Sequence, residues 1–377
     1  MIKKVINWSA YLTLIAAFIY GYFYSAENHE LATLKILASN NLTLGKEESK
    51  IFEVEKNDTL IGYLTIGHSQ GYGGPLKVAV IIDINGKIIA TETIQSFDTK
   101  SFIAKLENNK YFDQYEEKIA NQPFVLENDI EAISGATISS QAISNAIREA
   151  SHNIAISKLK MEIPKIETHW KFSYSEITIL LLFILSLFVS FLGLKKLRYL
   201  SLTLGLVFIG FMFNESLSLT HLGRFLLGYL PDIHTHFTWW LLMGGTFAII
   251  IGWGKNVYCN NMCPFRAMQV FLHKISGINL KLPTKLARVL AKTPFVLLWF
   301  SLILIFISAN PTISSYEPFA MMFSLKGVGI QWYILPASLI GALFFSNFFC
   351  TFFCPVGGYL RWTLKIRKHI IDRFKKQ

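Results

Sequence analysis

The sequence predicts an α-helical integral membrane protein with about six transmembrane helices and one extracytoplasmic α+β domain. Three observations carry this prediction. Hydrophobic residues make up 52% of the 377 residues and charged residues only 16%, which is too apolar for a soluble chain of this length. One long polar segment, residues 27–172, separates the apolar stretches. Basic residues collect in the segments expected on one side of the membrane.

The apolar stretches have the length needed to cross a membrane. A span takes roughly 20 residues for a hydrocarbon core of about 30 Å. The first stretch, within residues 1–26, is long for a signal peptide and is expected to be an uncleaved anchor. The others predict a five-helix membrane domain, residues 173–364, followed by a basic cytoplasmic tail, residues 365–377. The six stretches are Val5–Tyr24, Glu176–Leu194, Tyr199–Phe213, Phe237–Trp253, Pro294–Ala309 and Gln331–Phe349.

The distribution of Lys and Arg predicts the orientation. With the N-terminus inside, the cytoplasmic segments hold 19 Lys and Arg against one acidic residue, whereas the outer loops 214–236 and 310–330 hold two. This positive-inside pattern predicts a multi-pass protein of a bacterial plasma membrane with residues 27–172 outside. That domain has 15 basic and 20 acidic residues. The net charge of +11 therefore indicates topology and contact with lipid headgroups, and it gives no support to nucleic-acid binding.

The polar segment is predicted to fold as an α+β domain beyond a helical stalk at residues 27–50. Asn85-Gly86 predicts a hairpin with a type I′ turn, in which both central residues have positive φ. The loop Gly71–Pro75 is expected to be flexible. Alternating apolar runs predict strands at Thr59–Ile66, Lys77–Ile84 and Lys87–Thr91.

A short motif, Ser134-Gly135-Ala136-Thr137, lies just before a predicted amphipathic helix. The helix is expected from Ser139 to about Lys158, with Ser139 or Ser140 as its N-cap. A helix start presents free N–H groups and the positive end of the dipole, which would stabilise a phosphate on Thr137. The small residues of the motif leave room for such a group. From these residues alone, an ordinary strand-to-helix turn with an exposed threonine is the simpler interpretation.

Over roughly residues 55–155 the polar domain resembles the FMN-binding domain of the flavin subunits of Rnf and of the sodium-translocating NADH:quinone oxidoreductase. The NosR and PceC families share this domain. The resemblance rests on the threonine motif, the Gly71–Pro75 loop, the hairpin and Phe97-Asp98-Thr99. It implies that a flavin transferase links FMN to Thr137 through a phosphoester. The cofactor-binding residues it implies are Thr137, Ser134, Gly135, Ala136, Glu131, Gly73, Gly74 and Pro75, where Glu131 replaces an Asp of the family motif.

Four cysteines form two Cys-x3-Cys-Pro units, Cys259 with Cys263 and Cys350 with Cys354, each after a predicted span. Thiols at i and i+4 share one face of a helix, and the proline is expected to end that helix at the membrane surface. In the reducing cytoplasm such cysteines more often bind metal or carry out redox chemistry. Four converging thiolates would hold an iron–sulfur cluster or zinc. A reversible disulfide and two inert pairs are the alternatives.

The membrane half resembles the membrane domain of the NosR and NapH families, on the two cysteine units and a Glu317-Pro318-Phe319 loop. NosR proteins continue into a cytoplasmic ferredoxin-like domain, whereas this chain ends in its basic tail, a layout closer to PceC-like proteins. We therefore expect cytoplasmic electron entry to involve another subunit. The histidines of the outer loop, His221, His234 and His236, are expected to be solvated.

The combined prediction is a membrane-bound flavoprotein that passes electrons from a quinol or a cytoplasmic donor to an exported respiratory reductase. The alternative is a membrane regulatory or maturation factor for such a reductase. The expected partners are the flavin transferase, the reductase, quinol and the lipid bilayer. In this topology most of a bilayer separates the thiols from the flavin, so the electron path between them is left open.

Overall fold

In the computed structural model, the described residues are 2–24, 42–98, 100–133, 136–165, 174–234, 236–325 and 329–375. An N-terminal helix, α1, precedes a five-stranded antiparallel sheet whose strands pair in chain order. Two further helices of the polar domain follow the sheet. These elements are α1 (Ile2–Tyr24), β1 (Thr43–Glu48), β2 (Ile51–Lys56), β3 (Thr59–Gln70), β4 (Pro75–Asp83), β5 (Ile88–Ser96), α2 (Lys100–Asn108) and α3 (Thr137–Ser157).

The sheet confirms the three predicted strands and adds two. The expected helical stalk is wrong over Thr43–Glu48, which pairs with β2; residues 25–41 lie outside the described part of the chain. The β4–β5 hairpin forms as predicted, but its turn type was wrong. Of its central residues only Gly86 has positive φ (+88°), and the Gly86 N–H bonds the Asp83 carbonyl at 3.1 Å. The arrangement is a type I turn followed by a left-handed glycine.

The helix α3 covers one face of the sheet, because its apolar residues recur at helical spacing and pack on β3 and β4. Ala142, Ile143, Ala146 and Ile147 are at most 1% exposed. The predicted N-cap was wrong: the helix begins at Thr137, and the residue at the cap position is Ala136.

The membrane half contains helices over all five apolar stretches that follow the polar domain. Its elements are α4 (Tyr174–Leu192), α5 (Lys195–Gly205) with a π-helical extension (Leu206–Met212), α6 (Leu219–Leu227), α7 (Phe237–Trp253), a π-helical turn (Tyr258–Met262), α8 (Pro264–Ser276), α9 (Thr284–Leu290), α10 (Thr293–Ser308), α11 (Phe319–Ser324), α12 (Gln331–Phe344), α13 (Phe348–Phe352) and α14 (Pro355–Phe374).

Length and apolar composition single out two spans among the described residues. Tyr174–Leu192 and Thr284–Ser308 are long and apolar enough to cross a membrane, whereas the apolar helices Trp8–Phe23, Phe237–Trp253 and Gln331–Phe344 are shorter. The N-terminal helix packs along α10, where the Trp299 indole N–H donates to the Ala10 carbonyl. The last helix, α14, continues through residue 365, where a separate tail was expected to begin.

Candidate functional site

Thr137 is the first residue of α3, and its side chain is exposed. The first N–H groups of a helix have no partner within the helix, so they face any group attached to this hydroxyl. The preceding Ser134 and Gly135 lie outside the described residues. Ala136 is buried, and Glu131 is exposed, with its backbone N–H bonded to the Gln114 side chain at 2.8 Å. The Thr137 hydroxyl is therefore accessible and lies at a helix start.

Asp98 joins the start of α3 to the glycine loop. This carboxylate is 4% exposed; one oxygen accepts the Gly73 N–H at 2.8 Å, and the other accepts the Ser139 hydroxyl. Burial raises the pKa of Asp98, and the hydrogen bonds from Ser139 and the loop lower it. The sequence named this residue only as part of a resembling segment, so its central position is a finding of the structure.

The Gly71–Pro75 loop, expected from the sequence to be flexible, makes close backbone contacts. The Gly71 N–H bonds the Gly74 carbonyl at 2.8 Å, and Pro75 begins β4. A side chain at Gly73 would begin 1.8 Å from the carbonyl oxygen of Phe97, so only glycine allows this approach. The loop therefore packs tightly beside the start of α3.

One buried arginine connects this loop to the membrane half. Arg224, in α6, is 1% exposed, and its Nη1 donates to the carbonyls of Gly71 at 2.9 Å and Tyr72 at 2.7 Å. The Tyr72 ring lies edge-on to His221, also in α6. A hydrogen bond from a charged donor to a backbone carbonyl is stronger than one between two neutral groups. The flavin-domain loop and the outer loop of the membrane half therefore form one packed unit.

His221 is buried, so the expectation of solvated histidines was wrong at this position. Its Nδ1 lies 2.8 Å from the Ser218 hydroxyl, and its ring stacks with Trp239. Burial, with the nearby Arg224 charge, lowers the pKa of His221 to about 3. The ring is therefore neutral and acts as a capping group at the start of α6.

The two cysteine units meet in the membrane half. Side chains of all four cysteines line one cavity of about 170 Å³, together with Arg266 and Arg361. The four are free thiols. A cluster held by four thiolates carries net negative charge, which two guanidinium groups at the cavity wall offset. The cavity is lined by Cys259, Cys263, Cys350 and Cys354.

Each cysteine unit has the same local construction. The helical turns before the two Cys-Pro pairs end at Met262 and Phe352, as the sequence predicted. A new helix then begins at each proline, α8 at Pro264 and α14 at Pro355. The Gly357 N–H donates to Cys354 Sγ at 3.2 Å, and the Arg266 N–H faces Cys263 in the same way. Amide donors of this kind stabilise thiolates and tune the potentials of iron–sulfur clusters.

The cysteine turn lies inside the helical bundle. A side chain at Gly205 would begin 2.2 Å from the Met262 carbonyl, so the turn packs directly on α5. Ser201 Oγ also donates to the Asn261 carbonyl at 2.9 Å. Arg198, near the basic start of α5, donates to the Asn260 carbonyl at 3.3 Å. The turn is therefore held along one side of α5, with a basic residue beside it.

Two tyrosines join the cysteine elements to the outer loops. The Leu217 N–H donates to the Tyr258 hydroxyl at 2.8 Å, and Tyr258 is next to Cys259. The Tyr316 hydroxyl donates to the Phe353 carbonyl at 2.7 Å, next to Cys354. The loops that contact the flavin domain therefore also contact the cysteine elements.

The four cysteines are arranged around the cavity and are not drawn together at one point. Within the described part of the chain, no group of three or more His, Cys, Asp or Glu side chains is close enough to hold a single metal ion.

Family comparisons agree with both centres. The FMN-binding domain family matches residues 71–152. The 4Fe-4S binding domain family matches residues 235–283 and 333–373, one cysteine unit in each segment. The FMN-binding and iron–sulfur predictions are therefore confirmed at the level of domains, and the matched family adds the 4Fe–4S type.

Curated relatives fall into two groups. One subunit of the proton-translocating ferredoxin:NAD(+) oxidoreductase complex of Clostridium ljungdahlii is 26% identical over 125 residues, 31% of this chain and 68% of the relative. Regulatory protein NosR of Stutzerimonas stutzeri is 27% identical over 204 residues, 49% of this chain. Protein NirI of Paracoccus denitrificans is 25% identical over 190 residues, 46% of this chain. The matches span 27% of the length of NosR and of NirI. The chain is thus similar to NosR and NirI over about half of its length, and it matches the FMN-binding and 4Fe–4S binding domain families.

Proposed function

We propose that this protein is a membrane-bound electron-transfer component, with FMN esterified to Thr137 and a 4Fe–4S cluster held by Cys259, Cys263, Cys350 and Cys354. The main support is the contact chain between the two centres. Arg224 binds the flavin-domain loop, and the outer loops that flank it bond to Tyr258 and Tyr316 beside the cysteines. Bound FMN would supply one- and two-electron chemistry, while the protein supplies position and electrostatics.

The proposed topology has six spans, with the flavin domain outside and the cysteine units toward the cytoplasm. The positive-inside pattern supports it. The outer loops 214–236 and 310–330 both contribute residues near the flavin domain, as this topology requires. The donor is quinol or a cytoplasmic protein, and the acceptor is an exported reductase.

A regulatory or maturation role for such a reductase is the second candidate. The observation that favours it is the name of the NosR relatives, regulatory proteins. The two roles differ in whether the flavin turns over. A carrier flavin is reduced by the donor and reoxidised by the partner, whereas a maturation factor supports the partner without such turnover.

The attachment is tested by fluorescence of the denatured protein on a gel after co-expression with a flavin transferase. Wild type is expected to give a fluorescent band and Thr137→Ala none, because the variant has no hydroxyl to esterify. Thr137→Ser keeps a hydroxyl and is the matched control. Mass spectrometry that found the wild-type Thr137 peptide unmodified would remove the main support for the proposal.

A further inference from the structure

A second, larger cavity lies between the flavin domain and the membrane half. Its volume is about 420 Å³, within the usual range for a small-molecule site. Tyr72 and Phe102 contribute from the flavin domain, and the loops around Ser216 and Glu317 contribute from the membrane half. Neither the threonine motif nor the four cysteines line it.

Three buried polar atoms of this cavity have no hydrogen-bond partner among the described residues: Glu317 Oε1, Ser216 Oγ and Asn214 Oδ1. Glu317 is 2% exposed and Ser216 4% exposed. The other carboxylate oxygen of Glu317 is fixed, because it accepts the Leu219 N–H at 2.6 Å. An unpaired buried polar atom costs about 1–3 kcal/mol, so a cluster of three calls for a ligand that satisfies them.

The edge of the cavity is apolar. Ile313 and Ile330 both line it, and they are 55% and 60% exposed. A ligand that enters here has a polar head and an apolar tail. The opposite wall includes Phe319, which also lines the thiol cavity. One side chain thus contacts both cavities.

We propose that the cavity binds the headgroup of a lipid-soluble hydroquinone, with Glu317 Oε1 and Ser216 Oγ bonded to its hydroxyl groups. This inference rests on the proposed electron-transfer function and names its membrane donor. Oxidation removes two electrons and two protons from the hydroquinone and leaves the quinone. The first proton passes from a hydroxyl oxygen to Glu317. Bound FMN in its oxidised form would be the oxidant; both electrons and both hydroquinone protons, including the one that Glu317 accepts first, would end on the reduced flavin.

The test is photolabelling of the full-length protein in lipid nanodiscs with a short-tailed azidoquinone, with decylubiquinol as competitor under anaerobic conditions. Mass spectrometry is expected to find competed label on peptides that contain Ser216 or Glu317. Glu317→Ala is expected to weaken competition by about tenfold, because the acceptor for one hydroxyl group of the competitor is lost. Ser216→Leu, which fills the cavity, is expected to abolish the label.

The matched control is Glu215→Ala. Glu215 is adjacent to Ser216 in sequence but lines a separate cavity of about 100 Å³, so labelling is expected to be unchanged. Unfolding temperature and iron content verify that each variant is folded. Absence of competed label in wild type, or labelling and competition in folded Glu317→Ala and Ser216→Leu equal to those of wild type, would overturn the proposal.

A Thr137→Ala arm separates this proposal from the proposed function. Labelling is expected to be the same with and without attached flavin, since the site belongs to this chain's own residues. Label that appears only in Thr137→Ala would mean that the flavin ring fills the cavity, which also overturns the hydroquinone site. A missing flavin band in wild type would contradict the flavin attachment, whatever the labelling result.

Discussion

Asp98 is the residue on which the shape of the flavin site most depends, because it bonds both the glycine loop and the first turn of α3. Asp98→Ala leaves the Gly73 N–H and the Ser139 hydroxyl without these partners, which we expect to cost about 2–4 kcal/mol of unfolding free energy. Urea unfolding of the purified protein measures the loss. Asp83→Ala is the control, since Asp83 is partly exposed and caps only the β4–β5 turn. Equal losses in both variants would contradict a special role for Asp98.

His221 predicts a pH dependence of stability. Its pKa is about 3 in the folded protein, below its ordinary value of 6.5, because the ring is buried. The neutral ring therefore stabilises the fold fully above pH 6.5, and this contribution is lost as the pH falls toward 3. Thermal unfolding in detergent is expected to show this loss, and His221→Gln is expected to reduce it. A variant with the same pH profile as wild type would contradict the assignment.

For single residues, the sequence predicted which side chains have cofactor chemistry better than it predicted which residues they contact. Thr137 and the four cysteines stand out because their residue types and spacing are tied to particular cofactors. Asp98, Arg224 and His221 carry no local signal. Their positions depend on contacts between residues distant in the chain, such as Arg224 with Gly71.

Among the elements, the contact between α5 and the cysteine turn fixes the position of the turn. Gly205→Ala adds a methyl group where the Met262 carbonyl lies 2.2 Å away, so the turn must move. We expect a cost of about 1–3 kcal/mol and a loss of bound iron and sulfide per protein. Gly244→Ala in α7 is the matched control, since its added methyl group meets no atom within 4 Å. Full iron content in Gly205→Ala would show that the contact between α5 and the cysteine turn is not needed to hold the cluster.

The sequence predicted β3, β4 and α3 because their apolar periods are clear. It missed β1 and β2, whose residues Thr43–Glu48 and Ile51–Lys56 are rich in charge and resemble a polar helix. It also predicted the helix ends before the two prolines but not the helices that begin at them, although a proline suits the first turn of a helix.

For the whole molecule, Arg224 couples the flavin domain to the membrane half. Arg224→Met removes the donors to the Gly71 and Tyr72 carbonyls but keeps much of the side-chain volume. We expect hydrogen exchange of the Gly71 and Gly73 amides to become about tenfold faster. A tenfold change corresponds to about 1.4 kcal/mol, which is close to the contribution of one charge-assisted hydrogen bond. Arg288→Met, at an exposed position in α9, is the control. Unchanged exchange in Arg224→Met would show that the two parts are not coupled at this point.

The central claim is that electrons travel between the cluster and the exterior through a flavin on Thr137. The most direct measurement follows the paramagnetic signal of the reduced cluster in proteoliposomes whose flavin domain faces the medium, after addition of ferricyanide, which does not cross the bilayer. Wild type is predicted to lose the signal, and Thr137→Ala, which retains its cluster, is predicted to keep it. Loss of the signal at the same rate in both proteins would contradict the account.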